Sequence, residues 1–250
     1  MPQNSWFSIF RPNPDAKLRM FCFSYAGGGT TTFRRWFHRL PSWVEIVAIR
    51  LPGREERLQD EIYTQMDTLI NALQEVFLDY LDKPFVFFGH SMGALVSFNL
   101  AHSLSHANKK MPLQLFISSF KAPHRSSTTD NYHLLSDELL IQKLDLLNGT
   151  PRWLLNDPNA MKLFLPTFRA DLKVCETYLF NEKKPLDIPF HVFGGDNDLL
   201  VDQKELQFWK QHTKSDFSLQ LFSGGHFYLH SKSRVPLLAQ ISTHLHDIIK

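Results

Sequence analysis

Residues 83–101 read KPFVFFGHSMGALVSFNLA. The apolar run Phe85–Phe88 predicts a buried strand, and the segment from Ala94 onward predicts a helix. Between them lies a G-x-S-x-G motif in the strand–turn–helix context of a nucleophilic serine. Such a turn exposes the Ser91 hydroxyl at a helix N-terminus, where backbone N–H groups can stabilise an oxyanion. A turn serine that only caps the helix is the alternative, but the flanking strand and helix favour Ser91 as a nucleophile.

A nucleophilic serine needs a general base, and the base needs an acid that orients it. Toward the C-terminus, the strand pattern 217–222 is followed by Ser-Gly-Gly-His, in which the histidine is His226. The strand pattern 189–193 runs into a turn that carries two aspartates. Functional side chains of doubly wound sheets lie in the loops just past the strands. The chain order Ser, Asp, His is that of α/β-hydrolases, so a catalytic triad is predicted.

Two acids compete for the orienting role. Asp198 is the fourth residue of a G-x-x-D turn that begins at Gly195, and Asp196 lies two residues closer to the strand. The usual hydrolase spacing favours Asp198. Asp196 would then shape the turn or cap the segment that follows.

The oxyanion hole is expected to use the N–H after the nucleophile, which belongs to Met92, and one N–H from a loop after an early strand. The strand pattern 18–23 is followed by Ser-Tyr-Ala-Gly-Gly-Gly-Thr at 24–30. This glycine run lacks the Gly-Lys-Ser/Thr ending of a phosphate-binding loop. Glycines do let the backbone fold against a reacting carbonyl, and Ala26 is the expected second donor.

Four longer motifs resemble those of type II thioesterases, the stand-alone editing enzymes that accompany non-ribosomal peptide and polyketide synthetases. They are FSYAGG at 23–28, LPGREER at 51–57, GHSMGA at 89–94 and GGHF at 224–227. The middle of the chain resembles the lid segment of that family, with NGTP at 148–151 and LPTFRAD at 165–171. The likeness extends from about residue 19 to about residue 229.

The resemblance implies a serine thioesterase that removes acyl groups from the phosphopantetheine arm of acyl or peptidyl carrier proteins. It requires no cofactor and no metal. The functional residues that it implies are the triad Ser91, Asp198 and His226 and the oxyanion donors Ala26 and Met92. A general carboxylesterase or lipase-like hydrolase of small esters or lipids is the alternative, since it would use the same triad.

The sequence departs from the family pattern in three places. The family usually has proline where Ser24 and Leu199 stand, and a Ser-Gly start where SSFKAP stands at 118–123. None of these positions is expected to be catalytic, so the departures concern substrate preference.

Composition agrees with one α/β-hydrolase domain over residues 1–250, in which helices flank a mostly parallel central sheet. Strand patterns are missing from about 121 to 180, and helical patterns replace them near 136–147, 159–164 and 168–179. This segment is predicted to be a helical lid. Apolar residues that could line an acyl channel beneath it are Leu139, Leu140, Leu144, Leu147, Trp153, Leu154 and Leu163.

The protein is expected to be cytoplasmic and to be a monomer. With a net charge of +2, the chain lacks the basic excess typical of nucleic-acid-binding proteins. No apolar stretch reaches membrane-spanning length. Cys22 and Cys175 are expected to be buried thiols. His102 and His106 are four residues apart on a predicted helix, a spacing that could hold a metal ion. No third ligand is evident, so an exposed helix face is expected. The residues Arg34, Arg35, Trp36 and Arg39 are expected to form a solvated basic face of a helix beginning near Thr32, with contact to an acidic carrier protein as the alternative.

Overall fold

The computed structural model describes residues 5–125, 131–147 and 149–249. Its strands are β1 (Phe7–Ser8), β2 (Leu18–Phe23), β3 (Val44–Ile49), β4 (Phe85–His90), β5 (Leu115–Ser118), β6 (Phe190–Gly195) and β7 (Phe217–Phe222). They form one sheet in the order β1-β3-β2-β4-β5-β6-β7. Every neighbouring pair is parallel except β1 and β3. The predicted mostly parallel α/β architecture is confirmed.

The central strands are buried along their whole length. In β2 to β6 every residue is buried, as expected for a parallel sheet that helices cover on both faces. Sequence patterns missed β1, because two residues are too few to show an alternation. Phe7 of this edge strand pairs with Ile49 of β3 and packs against Phe77 and Tyr80.

Helices cover both faces of the sheet, and three further helices lie in the segment between β5 and β6. In chain order the helices are α1 (Met66–Phe77), α2 (Met92–His106), α3 (Asp137–Leu147), α4 (Arg152–Leu155), α5 (Pro158–Glu176), α6 (Gln203–Gln207) and α7 (Arg234–Ile249). Apolar residues of α1 and α2 share one core with the sheet, and those of α7 share a second core with Phe33 and Trp36. The parallel sheet therefore separates two hydrophobic layers.

The segment between β5 and β6 carries α3, α4 and α5 and has its own apolar cluster, which includes Leu144, Leu165 and Phe168. The prediction of two helices at about 159–164 and 168–179 was wrong, because α5 is continuous and contains Pro166. Proline removes one helical hydrogen bond, and the packing of Leu165 and Phe168 on either side of it holds the two halves together.

Two other expectations were wrong in part. His106 of α2 is exposed, as expected. His102 is buried, with its ring 4.5 Å from the ring of Phe98, so the core and not the solvent surrounds it. Residues 30–38 form two short 3-10 helices, Thr30–Phe33 and Trp36–His38. Trp36, the first residue of the second of these, is fully buried and packs against Phe33 and against Phe88 of β4. The exposed basic face is therefore restricted to Arg34, Arg35 and Arg39.

The two cysteines were expected to be buried thiols, and no membrane-spanning segment was expected. Cys22 and Cys175 are both free thiols; Cys22 is buried and Cys175 is partly buried. Among the described residues no helix is long and apolar enough to cross a membrane.

Candidate active site

The turn between β4 and α2 holds Ser91 in a strained conformation. Its φ of 54° and ψ of −122° are rare for a residue with a side chain. The flanking glycines are required by close packing: a Cβ on Gly89 would overlap the carbonyl of Gly93, and a Cβ on Gly93 would overlap the backbone of Phe23. Strand, turn and helix can approach this closely only with glycine at both positions.

Ser91, His226 and Asp198 form one chain of hydrogen bonds. His226 Nε2 lies 2.9 Å from Ser91 Oγ, and His226 Nδ1 lies 2.9 Å from Asp198 Oδ2. The three residues follow β4, β7 and β6, so parallel strand ends bring together positions that are far apart in the chain. With a hydrogen on Nδ1, the imidazole donates to the carboxylate and can accept the serine proton at Nε2.

The surroundings of Asp198 keep its carboxylate ionised. Its side chain is only 1% exposed, and Oδ1 accepts the backbone N–H groups of Leu200 at 2.9 Å and Val201 at 3.2 Å. Burial alone would raise the pKa of Asp198. The hydrogen bonds from His226 and from the Leu200 N–H more than offset burial, and the pKa lies below its usual value.

Asp196 has a different place in the structure. It is exposed, and its Oδ1 accepts the N–H of Gly224 at 2.8 Å and the side-chain amide of Asn197 at 2.7 Å. The structure therefore brings Asp198 to His226, whereas Asp196 ties the β6 turn to the β7 turn.

Sequence reasoning missed a buried network beneath the base. His90 Nδ1 lies 2.8 Å from Ser118 Oγ, which lies 2.7 Å from the hydroxyl of Tyr228. The His90 ring packs 5.2 Å from the ring of His226. Burial, reinforced by the neighbouring His226 and His230, lowers the pKa of His90 well below its usual value. His90 is thus a neutral packing surface for His226 and not a second base.

The two expected oxyanion donors lie at the same end of the sheet. Met92 is the first residue of α2, and Ala26 lies in the loop that follows β2. Within the described parts of the chain, neither N–H donates to a backbone carbonyl.

An apolar cavity of about 110 Å³ opens beside the Ala26 loop. Tyr25, Ala26, Gly27 and Phe227 line one side, and residues of the 144–168 segment line the other: Leu144, Leu147, Gly149, Thr150, Pro151, Leu154, Phe164 and Phe168. None of these residues is charged, which suits an acyl chain.

Three of the seven leucine and tryptophan residues predicted for an acyl channel line this cavity, namely Leu144, Leu147 and Leu154. Leu140 is buried among α3 to α5, whereas Leu139, Trp153 and Leu163 are exposed. Asn148, the first residue of the NGTP motif, lies outside the described residues.

Comparisons with known proteins agree with this geometry. The family model described as "Thioesterase domain" matches residues 18–248. Gramicidin S biosynthesis protein GrsT of Aneurinibacillus migulanus is 40% identical over 227 residues, which cover 91% of this chain and 89% of GrsT. Thioesterase PikA5 of Streptomyces venezuelae is 32% identical over 244 residues, or 96% of this chain and 85% of PikA5. The solved type II thioesterase BorB of the borrelidin biosynthetic cluster superposes with a TM-score of 0.89 at 34% identity, covering 98% of this chain and 99% of BorB.

Proposed function

Because the chain belongs to the thioesterase domain family and hydrolyses acyl thioesters, we propose that Ser91, His226 and Asp198 are its catalytic triad. We further propose that its substrates are acyl groups on the phosphopantetheine arm of acyl or peptidyl carrier proteins. The observation that supports the triad is the continuous hydrogen-bonded chain from Ser91 Oγ through His226 to Asp198. The role would be to clear misacylated carriers in non-ribosomal peptide, polyketide or fatty acid synthesis.

In the first half of the reaction, His226 Nε2 takes the proton of Ser91 as the hydroxyl oxygen attacks the thioester carbonyl. The N–H groups of Ala26 and Met92 receive the oxyanion. His226 then protonates the departing thiol, which leaves with the carrier, and the acyl group remains on Ser91. Asp198 keeps the imidazole in the required tautomer and stabilises its charged form.

In the second half, a water molecule attacks the acyl-serine. His226 accepts a proton from this water, and the same two N–H groups receive the second oxyanion. Collapse of the intermediate returns the proton to Ser91 and releases a carboxylic acid. One water is consumed for each thioester bond that is broken.

The cavity beside Ala26 supports a preference for short to medium acyl groups. Its volume of about 110 Å³ is below that of an engineered cavity of about 150 Å³ that takes a benzene ring. Each methylene in an apolar pocket discriminates by only about 1–3 kcal/mol. Modest discrimination among short chains suits an enzyme that edits many kinds of carrier.

We also propose a domain organisation, an oligomeric state and a cellular location for the enzyme. Residues 1–250 would act as one hydrolase domain in which the 121–180 segment is the lid, and the contacts of Phe164 and Phe168 with the cavity support this role. The enzyme would act as a monomer in the cytoplasm. The free thiols of Cys22 and Cys175 are in keeping with a reducing compartment.

The substrate proposal is tested by measuring kcat/KM for one acyl group on three carriers: a phosphopantetheinylated carrier protein, coenzyme A and a simple oxygen ester. Carrier contacts add binding energy remote from the reacting carbon, so the carrier-bound thioester should give the highest value. Equal values on all three would remove the carrier-protein claim. A higher value for the ester would favour the alternative of a general carboxylesterase.

A further inference from the structure

A buried carboxylate on α5 holds the loop that carries Ala26, which we call the oxyanion loop (residues 24–30). Asp171 Oδ2 accepts the backbone N–H of Gly27 at 2.7 Å. Its other oxygen accepts Arg54 Nη2 at 2.8 Å, and Arg54 Nη1 donates to the carbonyl of Gly28 at 2.8 Å. One ion pair thus contacts two successive residues of the loop.

These contacts restrict the peptide planes next to the donor. The plane that contains the Ala26 N–H also contains the carbonyl of Tyr25, which accepts the N–H of Gly28 at 2.8 Å. Asp171 holds the next plane through the Gly27 N–H, and Arg54 holds the plane that contains the Gly28 carbonyl. Because the planes are covalently linked, the direction of the Ala26 N–H depends on all three contacts.

The helix that supplies Asp171 also covers the loop with aromatic rings. Gly27 has a φ of +73°, and a Cβ added there would lie 2.7 Å from the ring of Phe164 and 3.0 Å from that of Phe168. One turn earlier in α5 than Asp171, Thr167 Oγ1 donates to the carbonyl of Gly53 at 2.6 Å. Polar and apolar contacts therefore place α5 against the oxyanion loop in a single position.

Stability alone is a poor explanation for the Asp171–Arg54 pair. Asp171 is 2% exposed and Arg54 is 8% exposed. Removing two charges from water is costly, and well-packed apolar residues often serve a core equally well. A buried ion pair is better suited to fixing one arrangement among several.

We propose that Asp171 is a positioning residue that makes the oxyanion hole depend on the seating of α5. When α5 rests on the loop, Asp171 and Arg54 direct the Ala26 N–H toward the reacting carbonyl. This inference rests on the proposed function, because it takes Ala26 as an oxyanion donor.

The test compares Asp171→Asn with Asp137→Asn. Asp137 pairs with Arg169 of the same helix α5 at 2.5 Å, but the contact is on the exposed side and does not reach the loop. Loss of one oxyanion donor lowers kcat by about 10²–10³. We expect Asp171→Asn to lower kcat by about 10²-fold with little change in KM. A single amide oxygen cannot accept both the Gly27 N–H and Arg54, and the NH₂ group would face one of these two donors. Asp137→Asn should leave both constants within about twofold.

Two inhibitors separate positioning from general damage to the fold. A boronate that forms a tetrahedral adduct on Ser91 needs the oxyanion donors, whereas a non-hydrolysable thioether analogue of the substrate binds without them. Asp171→Asn should weaken boronate binding by the same factor as kcat and leave thioether binding unchanged. Equal weakening of both ligands, or an unchanged kcat in the folded variant, would overturn the proposal.

Arg54→Lys provides a second variant if Asp171→Asn fails to fold. Lysine keeps the charge but lacks the planar fork that reaches Asp171 and the Gly28 carbonyl together, so a partial loss of kcat and of boronate affinity is expected. Wild-type kinetics in this variant would overturn the proposal. All assays are repeated with an activated ester, since any acyl transfer to Ser91 uses the same hole. A failure of the carrier-protein claim would therefore leave this test intact.

Discussion

Replacing Asp198 by Asn tests the proposed triad at its least obvious member. Oδ1 of Asp198 accepts two backbone N–H groups, from Leu200 and Val201, and Oδ2 receives His226 Nδ1. An asparagine would keep its oxygen toward the two backbone donors, so its NH₂ would face His226. Nδ1 would then have to accept a hydrogen bond, and the proton would move to Nε2. In that tautomer His226 cannot take the proton of Ser91.

The corresponding change in a serine protease lowers kcat by about 10⁴, which is about 5 kcal/mol of barrier. We expect a loss of that order for Asp198→Asn, measured as steady-state turnover of an acyl thioester by thiol release. Asp196→Asn is the matched control, because the amide oxygen can still accept the N–H of Gly224. It should change kcat by only about twofold. A loss at Asp196 that equals or exceeds the loss at Asp198 would refute this assignment.

Three further predictions concern the nucleophile, the pocket and stability. Ser91→Ala should lower thioester turnover by about 10³-fold or more with circular dichroism unchanged; a tenth of the activity remaining would refute the role of Ser91. Phe164→Ala enlarges the cavity beside Ala26 and should raise the ratio of octanoyl to acetyl kcat/KM by about tenfold, whereas Leu163→Ala, on an exposed side chain of the same helix, should leave the ratio unchanged. Burial lowers the pKa of His102 and of His191 to about 3, so the unfolded chain binds protons at these residues below pH 6.5 while the folded chain does not. The free energy of unfolding should therefore keep its full value above pH 6.5 and decrease as the pH falls toward 3. At pH 5 the decrease should be at most about 2 kcal/mol per histidine. Urea titrations at pH 7 and pH 5 measure this difference, and equal stability at the two values would contradict it.

The fold and the nucleophile could be predicted from short stretches of the sequence. The motif around Ser91 combines a buried strand, two glycines and a helix start within a few residues, so its geometry follows from neighbours in the chain. The expectation of a thioesterase was confirmed by the family match over residues 18–248. The preference for Asp198 came from turn spacing, whereas the backbone hydrogen bonds that distinguish it from Asp196 appear only in the structure.

Contacts between distant segments were beyond the reach of the sequence. Arg54 and Asp171 are 117 positions apart, so no local pattern links them. His102 was expected on an exposed helix face, whereas α2 is a helix that is buried on nearly all sides. Two helical patterns were predicted near 159–164 and 168–179, whereas tertiary packing carries α5 through Pro166 as one helix. In each case long-range packing decided what propensity could not.

The most direct test of the account is to trap the acyl-enzyme. An acyl thioester is mixed rapidly with the protein, the reaction is quenched in acid, and the adduct is located by peptide mass spectrometry. One acyl group is expected on Ser91 and none in Ser91→Ala, and the released acid should contain one ¹⁸O when the reaction runs in H₂¹⁸O. Turnover by the wild-type enzyme with the acyl group trapped on another residue, or with no acyl group trapped on Ser91, would contradict this mechanism.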